Sequence, residues 1–453
     1  MKNIAIILAG GIGNRLGNSI PKQFFKVAGK TVIEHTVDVF ERCEKIDEIA
    51  VVIYQSGVMH IEEMILTNNW KKVKKILLGG DERYMSSLSA INAYKGEKNC
   101  NLIFHDAVRP LVNERIINDV ISALKKYNAV NTAVPATDTI IEVENNAELI
   151  RSIPNRSNLR RGQTPQGFKL ETITRAYEIA LQNKNFVSTD DCGVVIKYLP
   201  DEKVYVVRGE EFNLKLTYKE DAFLLDKLFQ LRSLSFEQKI DLTQLKGKII
   251  VVFGGNSGIG AKIVEIADKY GAKTFPFSRS LNNIDISNRN SVKNALAQTY
   301  KETQRIDYIV NTAAILTKEP LINMSEQTLN DIIRTNYDGA INVAIESYEY
   351  LKQSAGQLLL YTSSSYTRGR AFYSIYSSTK AAIVNFAQAL AQEWEKSKIR
   401  INVINPQRTK TPMRIKNFGT EPDNTLLSAD MVAETSIYTL LSDFTGQIID
   451  VKK

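Results

Sequence analysis

Near its amino end the chain runs Ile4-Ala5-Ile6-Ile7-Leu8 without a polar interruption, passes Ala9, and breaks into Gly10, Gly11, Gly13 and Gly17. A short apolar run with no alternation marks a strand buried on both faces, and such strands belong to parallel sheets covered by helices on either side. The glycines that follow free the backbone to turn N–H groups inward around an anion. Arg15 and Lys22 stand among and after them, two cations suited to a polyphosphate. Taken alone, the same residues fit equally a tight strand-to-helix turn with solvated cations. The loop is not a P-loop, because no Gly-Lys-Ser/Thr closes it.

The pattern recurs along the chain. Lys30–Arg42 carries apolar residues at helical spacing, and Ile49–Tyr54, Ile76–Leu78 and Leu102–Phe104 read as further buried strands. Polar groups gather where those strands end, in Gly79-Gly80-Asp81-Glu82-Arg83 and in His105-Asp106-Ala107. That alternation predicts a doubly wound α/β fold with ligands outside the carboxyl ends of parallel strands. A second start appears at Lys248–Phe253, followed by Gly254-Gly255-Asn256-Ser257-Gly258-Ile259-Gly260 and a helical run to Tyr270. Glycines there leave room for a pyrophosphate against a helix N-terminus. At 453 residues the chain is too long for one core. The expected division is 1–232, a packed connector 233–246 preceded by a closing helix Glu220–Leu231, and 247–453. Both halves are expected to be mostly parallel, doubly wound sheets. No internal repeat unites them, since their glycine loops differ in spacing and cation content.

Composition narrows the partners. The formal charge of +8 carries no Lys/Arg block with interleaved aromatics, so anionic small molecules account for it better than nucleic acid. Cys43, Cys100 and Cys192 are scattered and odd in number, as reduced thiols are. The Met-Lys-Asn start leads into an apolar run too short for a signal peptide, and no stretch is long enough to span a bilayer. The expectation is a soluble cytoplasmic protein with no membrane partner.

Six motifs then follow in order: L-A-G-G-x-G-x-R…P-K-Q-F from Leu8, G-G-D-E-R-x-x-S from Gly79, H-D-A-x-R-P from His105, T-P-Q-x-F from Thr164, T-D-D from Thr189 and N-x-K-x-T from Asn213. On these residues the first half, to about residue 230, resembles the methylerythritol phosphate and ribitol phosphate cytidylyltransferase family. The resemblance implies that CTP lies over Leu8, Ala9, Gly10, Gly11 and Gly13. It also implies that Gly80, Asp81, Arg83 and Ser86 surround the cytosine, with Asp106 and Ala107 near the ribose. Asp106 is the expected magnesium ligand, with a helix N-cap as the plainer alternative. In-line attack of an alcohol-phosphate oxygen on the α-phosphorus needs fixed cations. Arg15, Lys22 and Lys215 match the family's cationic positions, although a solvated strand lysine is the plainer account of Lys215. His105 is expected to orient the Asp106 loop. Two alternating runs flank Asn145-Asn146, a hairpin signal. In the resembling family this arm, 138–156, crosses to a second subunit, where Arg156 and Thr137 would grip the acceptor's phosphate. A homodimer is therefore expected. Ile141 stands where the methylerythritol enzymes have lysine, so the acceptor is expected to differ.

In the second half the glycine loop is joined by Asn311-Thr312-Ala313-Ala314, Asn336 in R-T-N-Y-D-G, Ser363, Tyr376-Ser-Ser-Thr-Lys380, and Asn405-Pro406 before Thr411. Residues from about 246 to 453 thus resemble the short-chain dehydrogenase/reductase family. The resemblance implies cofactor contacts from Gly254, Asn256, Ser257, Gly258, Ile259, Gly260, Asn311, Ala313 and Thr411. Ser363 would hold the substrate oxygen, Tyr376 would protonate it as hydride arrives, and Asn336 would position a water. Tyr376 and Lys380 share a helix face, and the lysine is expected to lower the tyrosine's pKa. Without the upstream motifs the pair reads as an ordinary helix surface pair. His35, His60 and His105 all lie in the first half, which leaves the second half without an imidazole acid. Arg279, after the strand Thr274–Phe277, suits the 2′-phosphate of NADPH in place of the acid that binds NAD ribose; an exposed loop arginine is the alternative. Asp285 is placed beside the adenine. Thr312 and Gln407 depart from the family pattern, and Arg368, Arg370, Arg408, Lys410 and Arg414 flank the expected substrate pocket.

Together the halves resemble the bifunctional enzymes of capsule synthesis that reduce ribulose 5-phosphate with NADPH and then couple ribitol 5-phosphate to CTP with Mg2+. Two alternatives remain at this point. In one, only the cytidylyltransferase acts beside a non-catalytic dimerising or cofactor-sensing half. In the other, a methylerythritol phosphate cytidylyltransferase is fused to an unrelated reductase.

Overall fold

In a computed structural model of the chain, residues 1–11, 20–144, 148–188, 190–232 and 241–452 are described. The expectations on Gly13, Arg15, Gly17, Asn145-Asn146 and Thr189 fall outside them. Two compact units emerge, Met1–Asp226 and Lys227–Lys453.

The first unit is built on seven strands: β1 (Lys2–Ala9), β2 (Glu48–Ile53), β3 (Val73–Leu78), β4 (Cys100–Asp106), β5 (Ala129–Pro135), β6 (Arg160–Lys169) and β7 (Val204–Arg208). Their order is β7-β5-β6-β4-β1-β2-β3, with β6 antiparallel to both neighbours and every other pair parallel. Burial on both faces accounts for the unbroken apolar run in β1. Ala5, Ile7 and Ala9 enter one core cluster, while Ile4, Ile6 and Leu8 enter another. Chain direction reverses beside β1, whose neighbours β2 and β4 continue to opposite sides of the sheet, and their carboxyl ends open there. The helix Val32–Arg42 begins with a capping box between Thr31 and Glu34. Glu142–Val143 pairs antiparallel with Ile150–Ser152, as the alternating runs require.

The second unit carries six parallel strands: β8 (Ile249–Phe253), β9 (Lys273–Phe277), β10 (Tyr308–Asn311), β11 (Gln357–Tyr361), β12 (Arg400–Pro406) and β13 (Ile448–Val451). Their order is β9-β8-β10-β11-β12-β13. The same two-sided burial recurs in β8, where Ile249, Val251 and Phe253 face one cluster and Ile250 and Val252 the other. The switch point lies between β8 and β10. Among the described residues no helix is long and apolar enough to cross a membrane.

Candidate functional site

In the first unit, the ends of β1 and β3 close on each other through glycine. A Cβ on Gly10 would lie 2.7 Å from Ser86 Oγ, and one on Gly79 would lie 2.9 Å from the same atom and 3.2 Å from Gly10 Cα. Ser86 is buried in the first turns of the helix Arg83–Tyr94. Lys22 opens a short 3-10 turn whose next residue, Gln23, is buried and donates from Nε2 to Ala9 O at 2.9 Å. The Pro-Lys-Gln segment is thereby fastened to the end of β1.

Asp106, at the end of β4, gathers three cations. Lys215 Nζ is 2.9 Å from its carboxylate, Arg109 Nε 3.4 Å and Arg83 Nε 3.9 Å. Burial opposes ionisation of this carboxyl, but Lys215, Arg83 and Arg109 outweigh it and hold it well below the ordinary range. The segment bearing Lys215 is stitched alongside. Asn213 Nδ2 donates to Thr164 O at 2.8 Å, Arg109 Nη1 to Asn213 O at 2.8 Å, and Leu216 N to Val108 O at 2.9 Å. His105 is wholly buried, with Nε2 near Arg109 O at 3.1 Å and Nδ1 near Thr164 Oγ1 at 3.0 Å. Burial pushes its pKa down to about 4, so at neutral pH it is an uncharged strut for the Asp106 loop.

Among the described residues no three His, Cys, Asp or Glu side chains gather as a metal cage. Mg2+ does not need one, since it is commonly held by one or two carboxylates and substrate phosphates. Lys215 and Arg109 approach Oδ2 of Asp106, which among the described residues leaves Oδ1 facing the more distant Arg83. One oxygen of Asp106 fits such a metal.

In the second unit, β8 runs into Gly254 at φ +83° and Gly258 at φ +54°, conformations that favour glycine. A Cβ on Gly260 would press into the Gly254 carbonyl, so the helix Gly258–Lys269 packs directly against the turn. Thr312, the departure from the family pattern, explains itself here. Its hydroxyl donates to Phe253 O at 3.0 Å and Gly254 O at 3.2 Å, tying β10 to the glycine loop.

A cavity of about 890 Å³ opens at this switch point. Its walls include Gly254, Asn256, Ser257, Gly258, Ile259 and Gly260 from the loop, Arg279 and Asp285 beyond β9, and Ala313 and Thr411. Ser363, Tyr376 and Lys380 face the same space. Two expected contacts stand behind the wall instead. Asn311 accepts from Ala313 N at 3.2 Å. Asn336 accepts from Ile315 N at 2.7 Å and donates to Ile315 O at 2.9 Å and Thr379 Oγ1 at 3.2 Å. It sits in a π-turn, Arg334–Asp338, between two helices, a distortion frequent at functional sites.

Tyr376 and Lys380 lie one turn apart on the helix Ser374–Glu393. The expected direction of the tyrosine's shift needs correcting. Burial pushes Tyr376 up to about 12, against smaller opposing pulls from a Ser363 hydrogen bond and Arg414. Lys380 does not offset this, because its ammonium donates to Tyr361 O at 2.9 Å and stands 5.6 Å from the Tyr376 ring centroid. Burial in turn pushes Lys380 down to about 8.

The family model for 2-C-methyl-D-erythritol 4-phosphate cytidylyltransferase matches residues 3–230, and that for short chain dehydrogenase matches residues 248–422. Over 455 aligned residues the chain is 50% identical to the bifunctional ribulose 5-phosphate reductase/CDP-ribitol pyrophosphorylase of Haemophilus influenzae, covering 99% of this chain and 96% of that protein. The chain belongs to this bifunctional family. Its first half is also 36% identical over 234 residues to the ribitol-5-phosphate cytidylyltransferase of Lactiplantibacillus plantarum, covering 51% of this chain and 99% of that one. It is 41% identical over 230 residues to the 2-C-methyl-D-erythritol 4-phosphate cytidylyltransferase of Thermobifida fusca, covering 50% of this chain and 92% of that one.

Several groups in this member of the family escape a reading of the sequence. Arg83 Nη1 pairs with the buried Asp191 at 2.7 Å, and Tyr177 OH donates to the other Asp191 oxygen at 2.7 Å. Arg83 is thus aimed from behind by Asp191, 108 positions away, which Tyr177 in turn holds. Among the cations expected at the reductase pocket, Arg414 is bidentate to Glu421 at 2.7 and 2.9 Å and stacks 3.9 Å above Phe418. Lys410 is paired with Asp423 at 2.8 Å. On the arm, Arg156 Nη1 donates to Thr137 O at 2.9 Å, which joins the two residues expected at the acceptor phosphate.

Proposed function

We infer that the chain makes CDP-ribitol in two consecutive steps, NADPH-dependent reduction of ribulose 5-phosphate and cytidylyl transfer from CTP to the resulting ribitol 5-phosphate. The observation that carries this reading is the full-length correspondence to a bifunctional relative, supported by polar groups gathered at each switch point. A reductase-like half kept only for assembly would have no need of Ser363, Tyr376 and Lys380 on one cavity.

In the reductase half, Ser363 and Tyr376 hold the ketose oxygen. Tyr376, kept protonated by its raised pKa, gives its proton as the carbonyl becomes an alcohol. NADPH supplies the hydride when bound. Lys380, anchored on Tyr361 O, would hold the nicotinamide ribose. Arg279 lies on the cavity wall, exposed and 4.0 Å from Asp285, which favours a cofactor carrying a 2′-phosphate.

In the cytidylyltransferase half, the backbone of Gly10 and Gly11 receives the triphosphate, while Lys22 and Lys215 stabilise charge on the phosphorus oxygens during in-line displacement. Arg15 joins them by the family match. Asp106 would hold Mg2+ through one oxygen, and the metal would neutralise the phosphates. Arg83 and Ser86 seat the base. Ile140, Ile141, Val143, Leu149 and Ile150 are all at least 40% exposed on the arm, so a second copy covering them accounts for their apolar character. That copy would receive Arg156 and Thr137 at its acceptor site.

The test is one reaction containing the purified chain, CTP, NADPH, Mg2+ and several ketose phosphates, followed by mass analysis of the nucleotide product. CDP-ribitol formed from ribulose 5-phosphate is the expected result. Tyr376→Phe should abolish ketose-dependent NADPH oxidation and still convert supplied ribitol 5-phosphate. Equally poor NADPH oxidation by wild type and variant would refute the two-step reading.

A further inference from the structure

We propose that Arg370 grips the phosphate of the sugar phosphate in the reductase cavity. The proposal rests on the ketose phosphate reading above and names the residue that makes the site selective for a phosphorylated sugar.

Four guanidinium groups line that cavity: Arg279, Arg370, Arg408 and Arg414. Three of them face a carboxylate. Arg279 is 4.0 Å from Asp285, Arg408 is 3.9 Å from Glu421, and Arg414 spends both arms of its fork on Glu421. Arg370 is exposed, and among the described residues its side chain has no ion pair. A dianionic phosphate placed at Arg414 would meet Glu421 in the same space, where like charge opposes it. At Arg370 the whole bidentate face of the guanidinium is available, the geometry that suits phosphate oxygens.

The main chain also fixes where this arginine starts. Arg370 N donates to Ser377 Oγ at 3.4 Å, and Ser377 is buried and adjacent in sequence to Tyr376. Two residues on, Phe372 adopts φ +71°, a conformation rare for a bulky side chain. Its carbonyl is held by Glu319 N at 2.6 Å. Strained backbone that persists at a cavity edge points to a constraint on what the segment presents. Here the segment presents Arg370 from a point tied to the proton donor's helix. The reacting carbonyl and the phosphate of one sugar would thus be held by two parts of a single braced element.

The experiment compares NADPH oxidation by the full chain with ribulose 5-phosphate and with unphosphorylated ribulose, for wild type, Arg370→Ala and Arg370→Lys. Wild type should favour the phosphorylated sugar, and Arg370→Ala should lose about 100-fold of that preference in kcat/KM, mostly through KM. Arg370→Lys should recover part of it, since a point charge replaces the fork. A preference retained within about threefold in Arg370→Ala, or a loss that falls on the KM of NADPH, overturns the assignment while leaving the reductase reading intact. A wild type that gains nothing from the phosphate overturns both. Far-UV circular dichroism and an unchanged unfolding transition of Trp394 check that the reductase half of each variant is folded.

Discussion

Lys380→Met should inactivate the reductase and at the same time make its half of the chain more stable. Lys380 is 4% exposed, and burial pushes its pKa from 10.5 to about 8. That displacement corresponds to about 3 kcal/mol of destabilisation while the group is charged in both folded and unfolded states, as it is at pH 7. Methionine removes the charge and fills much of the same volume. It also removes the hydrogen bond to Tyr361 O, which costs about 1–2 kcal/mol for an orphaned carbonyl. The net gain is then about 1–2 kcal/mol, or roughly 2–8 °C in Tm for a unit of this size. The pH dependence separates this cause from better packing. Between about pH 8 and the unfolded value of 10.5, the unfolded state binds more protons, so wild-type stability rises with pH. The advantage of the variant should therefore be full below pH 8, vanish as pH rises and turn into a deficit of about 1–2 kcal/mol by pH 10.5. Trp394, which ends the helix bearing Lys380, reports the transition in a Trp70→Phe background, and NADPH oxidation should fall at least about 100-fold. A variant less stable at pH 7, or a gap that stays constant to pH 10.5, would refute the reasoning.

Three further perturbations test the other surfaces. Gly10→Ala would set a Cβ 2.7 Å from Ser86 Oγ, which Gly79 already confines, so kcat/KM for CTP should drop at least about 10-fold while NADPH oxidation stays at the wild-type rate. Asp106→Asn leaves Lys215, Arg109 and Arg83 clustered without their carboxylate, and should cost about 3 kcal/mol in urea unfolding at pH 7. Because the folded carboxyl lies below its ordinary value of 3.8, its contribution is full above that pH and lost below it, so the deficit should shrink as pH falls under about 4. Arg279→Ala should lower the ratio of kcat/KM for NADPH to that for NADH about 10-fold or more, read from initial rates with each cofactor.

The parts of this molecule that a sequence discloses are those fixed by local physics. β1 and β8 are buried on both faces, and such burial demands continuous apolar residues, so both strands stand out in one dimension. The glycines at 10, 254, 258 and 260 stand out because backbone direction changes there against a neighbouring main chain. β6 was hidden for the opposite reason. Arg160-Arg161-Gly162-Gln163 shows neither alternation nor an apolar run, and its antiparallel place between β4 and β5 depends on partners distant in sequence. Side-chain pairings were equally out of reach. Gln23 on Ala9 O, Tyr177 on Asp191, and Glu421 on Arg414 join residues whose proximity arises only after folding. The direction of the Tyr376 shift escaped because it is set by burial. A lysine one turn away suggests a lowered value, but that lysine is aimed at Tyr361 O.

In the proposed reading the two halves meet phosphate by different means, and the chemistry of each explains the difference. In the first, phosphorus itself is the reacting centre, so charge grows on its oxygens and fixed counter-charge must already be in place. Lys22 and Lys215 are the side-chain cations proposed for that task, and Asp106 holds Lys215, Arg83 and Arg109 together against their mutual repulsion. In the second, the cofactor's pyrophosphate is a bystander to hydride transfer. The run Gly254–Gly260 contains no cation, and backbone N–H groups at the start of the helix Gly258–Lys269 suffice for a charge that never changes. Side-chain cations in that half stand instead elsewhere on the walls of the cavity, at Arg279, Arg370, Arg408 and Arg414. Arg279, Arg408 and Arg414 each face a carboxylate, and a reductase acting on an uncharged sugar would have no use for Arg370, which among the described residues faces none. An unpaired guanidinium on the cavity wall suits a phosphorylated substrate, and a phosphorylated alcohol is the acceptor that the other half consumes.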